Sequence, residues 1–157
     1  MVSRNPESTA QIGGHPIHPM LVYFPVAFFV GAFVTDLISL RSATPDWWSL
    51  ASYYLIGAGL VMSVLTALAG AIDFLGSARI RALSEAWLHA GANVIVVVLE
   101  LVNWYLRHKG GTAAVTGAEI GLSAISTVLL LFSGWMGGEL VFRRRVAVLD
   151  EENTRPL

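Results

Sequence analysis

The 157-residue chain is 55% hydrophobic, and only 13% of its residues are charged. Soluble domains carry about 25% charged residues, so this composition excludes an ordinary soluble protein. The net charge of −1 and the lack of a basic patch exclude nucleic acid as a partner. The lack of cysteine excludes disulfides, thiolate metal sites, iron–sulfur clusters and covalently attached haem within the chain.

The apolar residues fall in four blocks, each long enough to cross about 30 Å of hydrocarbon as a helix. The blocks cover about residues 20–40, 52–75, 86–105 and 120–142. Around them we expect a flexible N-terminal tail (1–12), one transmembrane domain (13–145) and a polar C-terminal tail (146–157). The sequence therefore predicts an all-α integral membrane protein, a four-helix transmembrane bundle in the lipid bilayer.

Basic residues predict the orientation of the chain, because short loops rich in Lys and Arg remain in the cytoplasm. The side shared by both termini and the second loop has seven: Arg4, Arg79, Arg81, Arg143, Arg144, Arg145 and Arg155. The other, outer side has three: Arg41, Arg107 and Lys109. We therefore expect both termini to be cytoplasmic.

Two further local features follow from residue type. Pro25 lies inside the first block and should kink that helix, because it leaves the carbonyl of Leu21 without a donor. Outer loops are expected at residues 41–49 and 107–119, with aromatic residues forming a belt beside them. His108 would lie in the second of these loops, where we expect it to have no role.

Helical spacing of small and polar residues predicts which face of each helix points into the bundle, because in lipid such residues pack against other helices. In the second, third and fourth blocks these stripes are Gly59, Ser63, Thr66, Gly70 and Asp73; His89, Asn93, Val96, Glu100 and Asn103; and Ser123, Thr127, Leu130, Gly134, Gly137 and Gly138. Helix packing explains most of the Gly, Ser and Thr positions, but it explains the ionisable ones less well.

Ionisable residues inside a span are costly, by about 2.5–3.5 kcal/mol for Asp, so each is a candidate for function. Asp36 and Glu100 lie at similar depth toward the outer ends of their helices. They could share a proton, or they could be solvated at the interface or hydrogen-bonded between helices.

Three of the four histidines lie at the other end of the bundle. His15 and His18 precede the first helix and His89 opens the third, which places them at one membrane level. Proline follows both His15 and His18 and favours an extended or polyproline conformation. In that conformation the two would point to the same side about 9 Å apart, a spacing that suits a larger flat ligand better than one metal ion.

Histidines from facing helices are how helix bundles hold haem. We therefore predict a b-type haem with His18 and His89 as its ligands. His15 would be a substitute ligand or the ligand of a second haem. A copper or zinc site made of the three histidines is an alternative.

Other residues near this level could support the haem. Arg79 and Arg81 could bind its propionates. The surrounding groups would be the hydrogen-bonding residues Asp73, Asn93 and Glu139 and, leaving room for the macrocycle, Gly134, Gly137 and Gly138.

Two stretches of the sequence resemble a bacterial membrane family, domain of unknown function 2231. The first is Gly14-His15-Pro16-Ile17-His18-Pro19-Met20-Leu21-Val22 followed by Phe24-Pro25 and Asp36. The second is His89-x-x-x-Asn93 with the ending Gly134-Trp135-Met136-Gly137-Gly138-Glu139-Leu140-Val141. The resemblance covers residues 13–149, although Tyr23 stands where many relatives have His. Relatives occur fused to Rieske-type or cytochrome-c-type domains, which implies membrane redox work in the bacterial inner membrane.

These observations favour a small cytochrome-b-like protein that transfers electrons between a membrane donor such as quinone and another redox protein. One alternative is a transporter or channel subunit with a proton or cation path through Asp36, Glu100 and His89. Another is a structural subunit without a ligand. Small-residue seams on several faces and a wide ligand also favour a homodimer.

The orientation is testable with a reporter fused after Leu157. A cytoplasmic reporter such as green fluorescent protein should fold there, and alkaline phosphatase should be inactive, because the basic residues hold that end in the cytoplasm. Phosphatase activity from this fusion would reverse the predicted orientation.

Overall fold

In a computed structural model, which describes residues 5–110, 115 and 117–148, four long helical spans run through the chain. The elements are β1 (Gln11–Ile12), β2 (His15–Pro16), α1 (Ile17–Leu21), α2 (Tyr23–Ser39), α3 (Pro45–Gly76), α4 (Ala78–Arg81), α5 (Ser84–Gly110), α6 (Gly117–Gly138) and a π-helical turn (Glu139–Arg143). The spans Ile17–Ser39, Pro45–Gly76, Ser84–Gly110 and Gly117–Arg143 are each long and apolar enough to cross a membrane. The predicted all-α membrane fold is confirmed.

The spans form a closed ring of antiparallel neighbours. α2 packs mainly on α3 and α5 mainly on α6, while contacts between α2 and α6 and between α3 and α5 close the ring. We call the end that holds residues 5–16, α4 and the π-helical turn the termini end. The end that holds residues 40–44 and the last turns of α5 is the distal end.

Two helices are longer than the apolar blocks suggested. α3 already begins at Pro45, whose fixed φ suits the first helical turn. α5 continues to Gly110, so Arg107 and His108 are helical and the prediction of a loop at these two positions was wrong. The rest of that predicted loop and the predicted C-terminal tail lie largely outside the described residues.

The first span is interrupted at Val22, three residues before Pro25. α1 ends at Leu21 and α2 begins at Tyr23. Proline has no N–H to donate to the carbonyl four residues earlier, so the helix loses a hydrogen bond at Leu21. The break separates the short α1, which carries His18, from the longer α2.

The described part of the N-terminal segment is bound to the end of α3. Asp73 accepts hydrogen bonds from the hydroxyl of Ser8 (2.8 Å) and from the backbone N–H groups of Thr9 and Ala10 (2.7 Å each). Gly13 and Gly14, with φ of 56° and 80°, then turn the chain between β1 and β2. The expectation of a flexible tail did not include these contacts; residues 1–4 of that tail lie outside the described residues.

An apolar layer crosses the middle of the bundle. Its buried members come from all four spans: Phe29, Ala32, Ile56, Val96 and Leu130. Toward either end, the inward positions become polar. The layer therefore divides the interior into two polar regions.

The close contact between Gly59 and Phe29 gives a test of this packing. A Cβ added at Gly59 would lie 2.5 Å from the Phe29 ring, so Gly59→Ala should lower the stability by about 1–3 kcal/mol through overpacking. Gly121→Ala is the matched control, because no heavy atom lies within 4 Å of its added Cβ. Thermal unfolding in detergent should separate the two variants, and equal unfolding temperatures would contradict the described packing.

Candidate functional site

His18 and His89 face each other near the termini end. Their ring centroids are 6.0 Å apart and the ring planes are nearly perpendicular, at 85°. His18 belongs to α1, and His89 lies in the second turn of α5. The fold thus brings together the two histidines that the sequence proposes as a ligand pair.

The His18 ring is seated against α3. Its Nδ1 lies 3.0 Å from the backbone carbonyl oxygen of Thr66. A Cβ added at Gly70 would lie 2.8 Å from the same Nδ1, so the ring occupies a notch that only glycine leaves open. Gly70 belongs to the predicted inward stripe of this helix, and its role is to admit the imidazole.

The His89 ring is seated in the same way against α6. Its Nδ1 lies 2.9 Å from the backbone carbonyl oxygen of Ser133. A Cβ added at Gly137 would lie 3.3 Å from the ring's Cε1 atom. Each histidine ring therefore contacts one backbone carbonyl and lies against one glycine of a neighbouring helix.

These contacts determine the tautomer of both histidines. A carbonyl oxygen can only accept a hydrogen bond, so Nδ1 must carry the hydrogen in each ring. In a neutral imidazole the other nitrogen, Nε2, then has the free lone pair. Both Nε2 atoms are thus left as electron-pair donors, which is the usual state of a metal-binding histidine.

Asn93 adds support to His89 from the next turn of α5. Its amide nitrogen lies 2.7 Å from the Ser133 hydroxyl, 2.8 Å from the His89 carbonyl oxygen and 3.2 Å from the His89 Nε2. The amide has two hydrogens, which the two shorter contacts use. The lone pair of Nε2 therefore stays available to another partner.

The centroid distance of 6.0 Å is one at which two imidazoles could bind the same metal ion. With metal–nitrogen bonds of about 2.0–2.1 Å, the two ring centroids would be about 6 Å apart. Nitrogen from neutral imidazole is the usual proximal ligand of haem iron. The two histidines fit this group in donor type, tautomer and separation.

His15 is not part of this arrangement. It lies exposed in β2, and its Nδ1 is 3.0 Å from the carbonyl oxygen of Gly13. His18 is helical, so the predicted polyproline placement of the two histidines on one side was wrong. The described residues contain no group of three or more His, Cys, Asp or Glu side chains that could hold a metal ion. The described structure therefore does not bring together the three histidines of the alternative copper or zinc site.

The basic residues proposed for the propionates have backbone partners. Arg79 donates to the carbonyl oxygen of Asn5 (3.0 Å), and Arg81 donates to the carbonyl oxygens of Phe74 and Leu75 at the end of α3. These bonds join α4 to the N-terminal segment and to α3. They leave the two guanidinium groups near the termini end but engaged with the backbone.

Of the residues proposed to hydrogen-bond around the ligands, only Asn93 has such a contact among the described residues. Asp73 instead binds the N-terminal segment, and Glu139 pairs with Arg143 at 3.2 Å. Gly137 admits the His89 ring, whereas a Cβ added at Gly134 would have no heavy atom within 4 Å.

A second polar cluster lies between the apolar layer and the distal end. Asp36 (0% exposed) and Arg107 (5% exposed) form a bidentate ion pair, with contacts of 3.0 Å from Nη1 to Oδ1 and 2.8 Å from Nη2 to Oδ2. The sequence analysis counted Arg107 as an outer loop charge. The α5 stripe could have identified it, because Arg107 follows Asn103 by one further step of four residues.

The rest of this cluster surrounds the ion pair. Asn103 accepts from the Arg107 Nε (3.0 Å) and donates to the Ser123 hydroxyl (3.0 Å) and to the Oε2 of Glu100 (3.2 Å). The Ser123 hydroxyl donates to the Oδ2 of Asp36 at 2.8 Å. Of the three explanations predicted for Asp36, hydrogen bonding between helices is therefore confirmed and interfacial solvation is wrong.

His108 also has contacts that the sequence analysis did not expect. Its ring stacks on Trp104 with centroids 5.7 Å apart, and Trp104 stacks on Tyr53 at 5.4 Å. The Tyr53 hydroxyl lies 3.2 Å from the His108 Nδ1. This stack joins α3 to α5 at the distal end, as part of the predicted aromatic belt.

Four apolar spans with polar clusters enclosed between them define the chain as a small multi-span membrane protein. The family model described as "Predicted membrane protein (DUF2231)" matches residues 14–150. The chain belongs to this family, as its sequence motifs had suggested. None of the curated proteins and none of the solved structures compared with the chain matches it.

The Asp36–Arg107 pair is testable by a double-mutant cycle. Asp36→Asn and Arg107→Gln should each lower stability by about 3–5 kcal/mol, because each leaves a buried charge unpaired. The double variant should lose less than the sum of the two losses. Arg144→Gln, which breaks the exposed Glu85–Arg144 pair, should change the unfolding temperature little. Strict additivity of the two buried substitutions would contradict the ion pair.

Proposed function

We propose that this protein is a small membrane haem protein in which His18 and His89 would hold one b-type haem. The observation that carries the proposal is the facing imidazole pair with both Nδ1 atoms bound to backbone carbonyls. The His18 ring is held against α3 and the His89 ring against α6, each beside a glycine. These contacts use Nδ1 and leave the Nε2 lone pair of each ring available.

The roles of the protein groups follow from these contacts. The carbonyls of Thr66 and Ser133 hold the tautomers and increase the basicity of the ligating nitrogens. Asn93 restrains His89 through its bonds to Ser133 and to the His89 backbone. The apolar layer separates the pair from the distal polar cluster. A b-type haem bound there would supply one-electron transfer, with its potential tuned by these ligands and by burial.

The physiological part of the proposal is electron transfer between a membrane donor such as quinone and another redox protein. Support comes from the half-buried position of both rings near the termini end, where a partner at the membrane surface can approach. Family relatives fused to Rieske-type or cytochrome-c-type domains agree with such work. We also propose that the protein lies in the bacterial inner membrane, as the family resemblance implies, and that both termini are cytoplasmic, because most basic residues lie on that side.

A proton or cation path through Asp36, Glu100 and His89 is less well supported. Such a path would have to cross the apolar layer, where Val96 and Ile56 are fully buried and Phe29 fills the space beside Gly59. A structural role without a ligand would not explain why each histidine ring lies against a backbone carbonyl and a glycine of a neighbouring helix.

A homodimer is a further part of the proposal. Gly91 and Gly134 face open space, which permits close approach of a second copy in lipid. Native mass measurement in detergent should give a dimer, and a monomer at all concentrations would contradict it.

The ligand assignment is tested by substituting each histidine in protein purified with ample haem precursor. Wild type should show a low-spin spectrum with a sharp reduced α band. His89→Ala and His18→Ala should abolish or strongly reduce haem retention, because each removes one axial nitrogen. Any haem that remains should be five-coordinate and high-spin.

His15→Ala and His108→Ala are the matched controls, since both residues are exposed and outside the pair. Both should keep the wild-type spectrum. If all four variants behave alike, the ligand assignment is wrong. If folded wild-type protein is colourless, the haem proposal fails.

A further inference from the structure

The distal cluster contains more acid than its one arginine can neutralise. Asp36 and Glu100 are 0% and 1% exposed, and Arg107 is the buried cation beside them. Arg107 gives both terminal nitrogens to Asp36 and its Nε to Asn103. The Asp36–Arg107 pair is therefore already neutral, and Glu100 is the additional carboxyl group.

Glu100 has one unused oxygen, and a neighbouring side chain has another. Its Oε2 accepts from Asn103, but its Oε1 is buried without a hydrogen-bond partner. The hydroxyl of Ser126 on α6 is likewise buried without a partner, and it lies near Glu100. These two oxygen atoms are the buried side-chain polar atoms without partners in the described part of the chain.

A proton on Glu100 would remove the excess charge of the cluster. Unprotonated, Glu100 would be a buried negative charge with one hydrogen bond from Asn103 and at most a second from the Ser126 hydroxyl, which is costly in hydrocarbon. With a proton on Oε1, the neutral acid can donate to the Ser126 hydroxyl oxygen, and the cluster has no net charge. Asn103 does not satisfy Oε1 instead. Its side-chain oxygen accepts from the Arg107 Nε, and its amide nitrogen already donates to the other Glu100 oxygen, Oε2.

The other charged groups around Glu100 do not replace that proton. α2 contributes Asp36 and α5 contributes Arg107, which neutralise each other at hydrogen-bonding distance. α3 contributes the uncharged Ser52, whose hydroxyl donates to Ala32. On α6, Glu119 is a buried acid four residues before Ser123 and has an interaction of its own.

We propose that Glu100 and Ser126 form a proton-binding site within the membrane, which exchanges its proton toward the distal end. The apolar layer closes the side toward the histidines, so the proton has to exchange from the distal side. The site therefore stores one exchangeable proton per chain. It does not depend on the haem and remains if the haem proposal fails.

Infrared spectroscopy of the full chain in detergent tests the site directly. At neutral pH the wild type should show the carbonyl stretch of a neutral carboxylic acid, and the band should shift in heavy water. Glu100→Gln, which has nearly the same shape as the neutral acid, should remove the band of one carboxylic acid per chain from the spectrum. Glu85→Gln, outside the cluster, should leave the band unchanged.

Ser126→Ala gives a second test in which Glu100 is intact. Because the proposed acceptor is lost, the carboxylic acid band should move to higher frequency without losing intensity. The proposal is overturned if the wild type lacks the band, if Glu100→Gln leaves it intact or if Ser126→Ala does not move it. A band that never shifts in heavy water would overturn exchange of the proton.

Discussion

Inside hydrocarbon, a polar side chain must find its partner within the protein, and the rest of this structure depends on that constraint. The buried ion pair between Asp36 and Arg107 shows it most clearly. Two charges that are costly alone become tolerable as a bidentate pair with the Ser123 hydroxyl at one oxygen. The bundle must therefore bring α2, α5 and α6 together at the distal end, and Gly59 allows Phe29 to seal the layer beneath them.

The same constraint gives both polar regions their chemical specificity. At the termini end, two backbone carbonyls bind the Nδ1 atoms of His18 and His89, so that only Nε2 is left free in each ring. At the distal end, the Oε1 of Glu100 and the hydroxyl of Ser126 are the buried side-chain polar atoms without a hydrogen-bond partner among the described residues. In both regions the surrounding contacts leave one kind of atom available, and the two proposals, a haem iron in one case and a proton in the other, rest on that atom.

Much of the fold could be predicted because it follows from hydropathy and helical spacing. Four apolar blocks gave the spans, and the common level of His18 and His89 followed from short connections. Contacts with backbone atoms could not be predicted, because the carbonyls of Thr66 and Ser133 carry no sequence signal. Arg107 was missed for a different reason: as a charge beyond an apolar block it was assigned to a loop. The conformation before α1 was also missed, because proline after His15 and His18 is compatible with both a hairpin and a first helical turn.

The central claim is that His18 and His89 bind the same iron atom. Pulsed electron paramagnetic resonance of the oxidised wild-type protein, carrying ¹⁵N-labelled histidine, measures this most directly. The account predicts couplings from two histidine imidazole nitrogens on one low-spin haem, and from one in either single variant that retains haem. Coupling to one imidazole or to none in the wild type would contradict it.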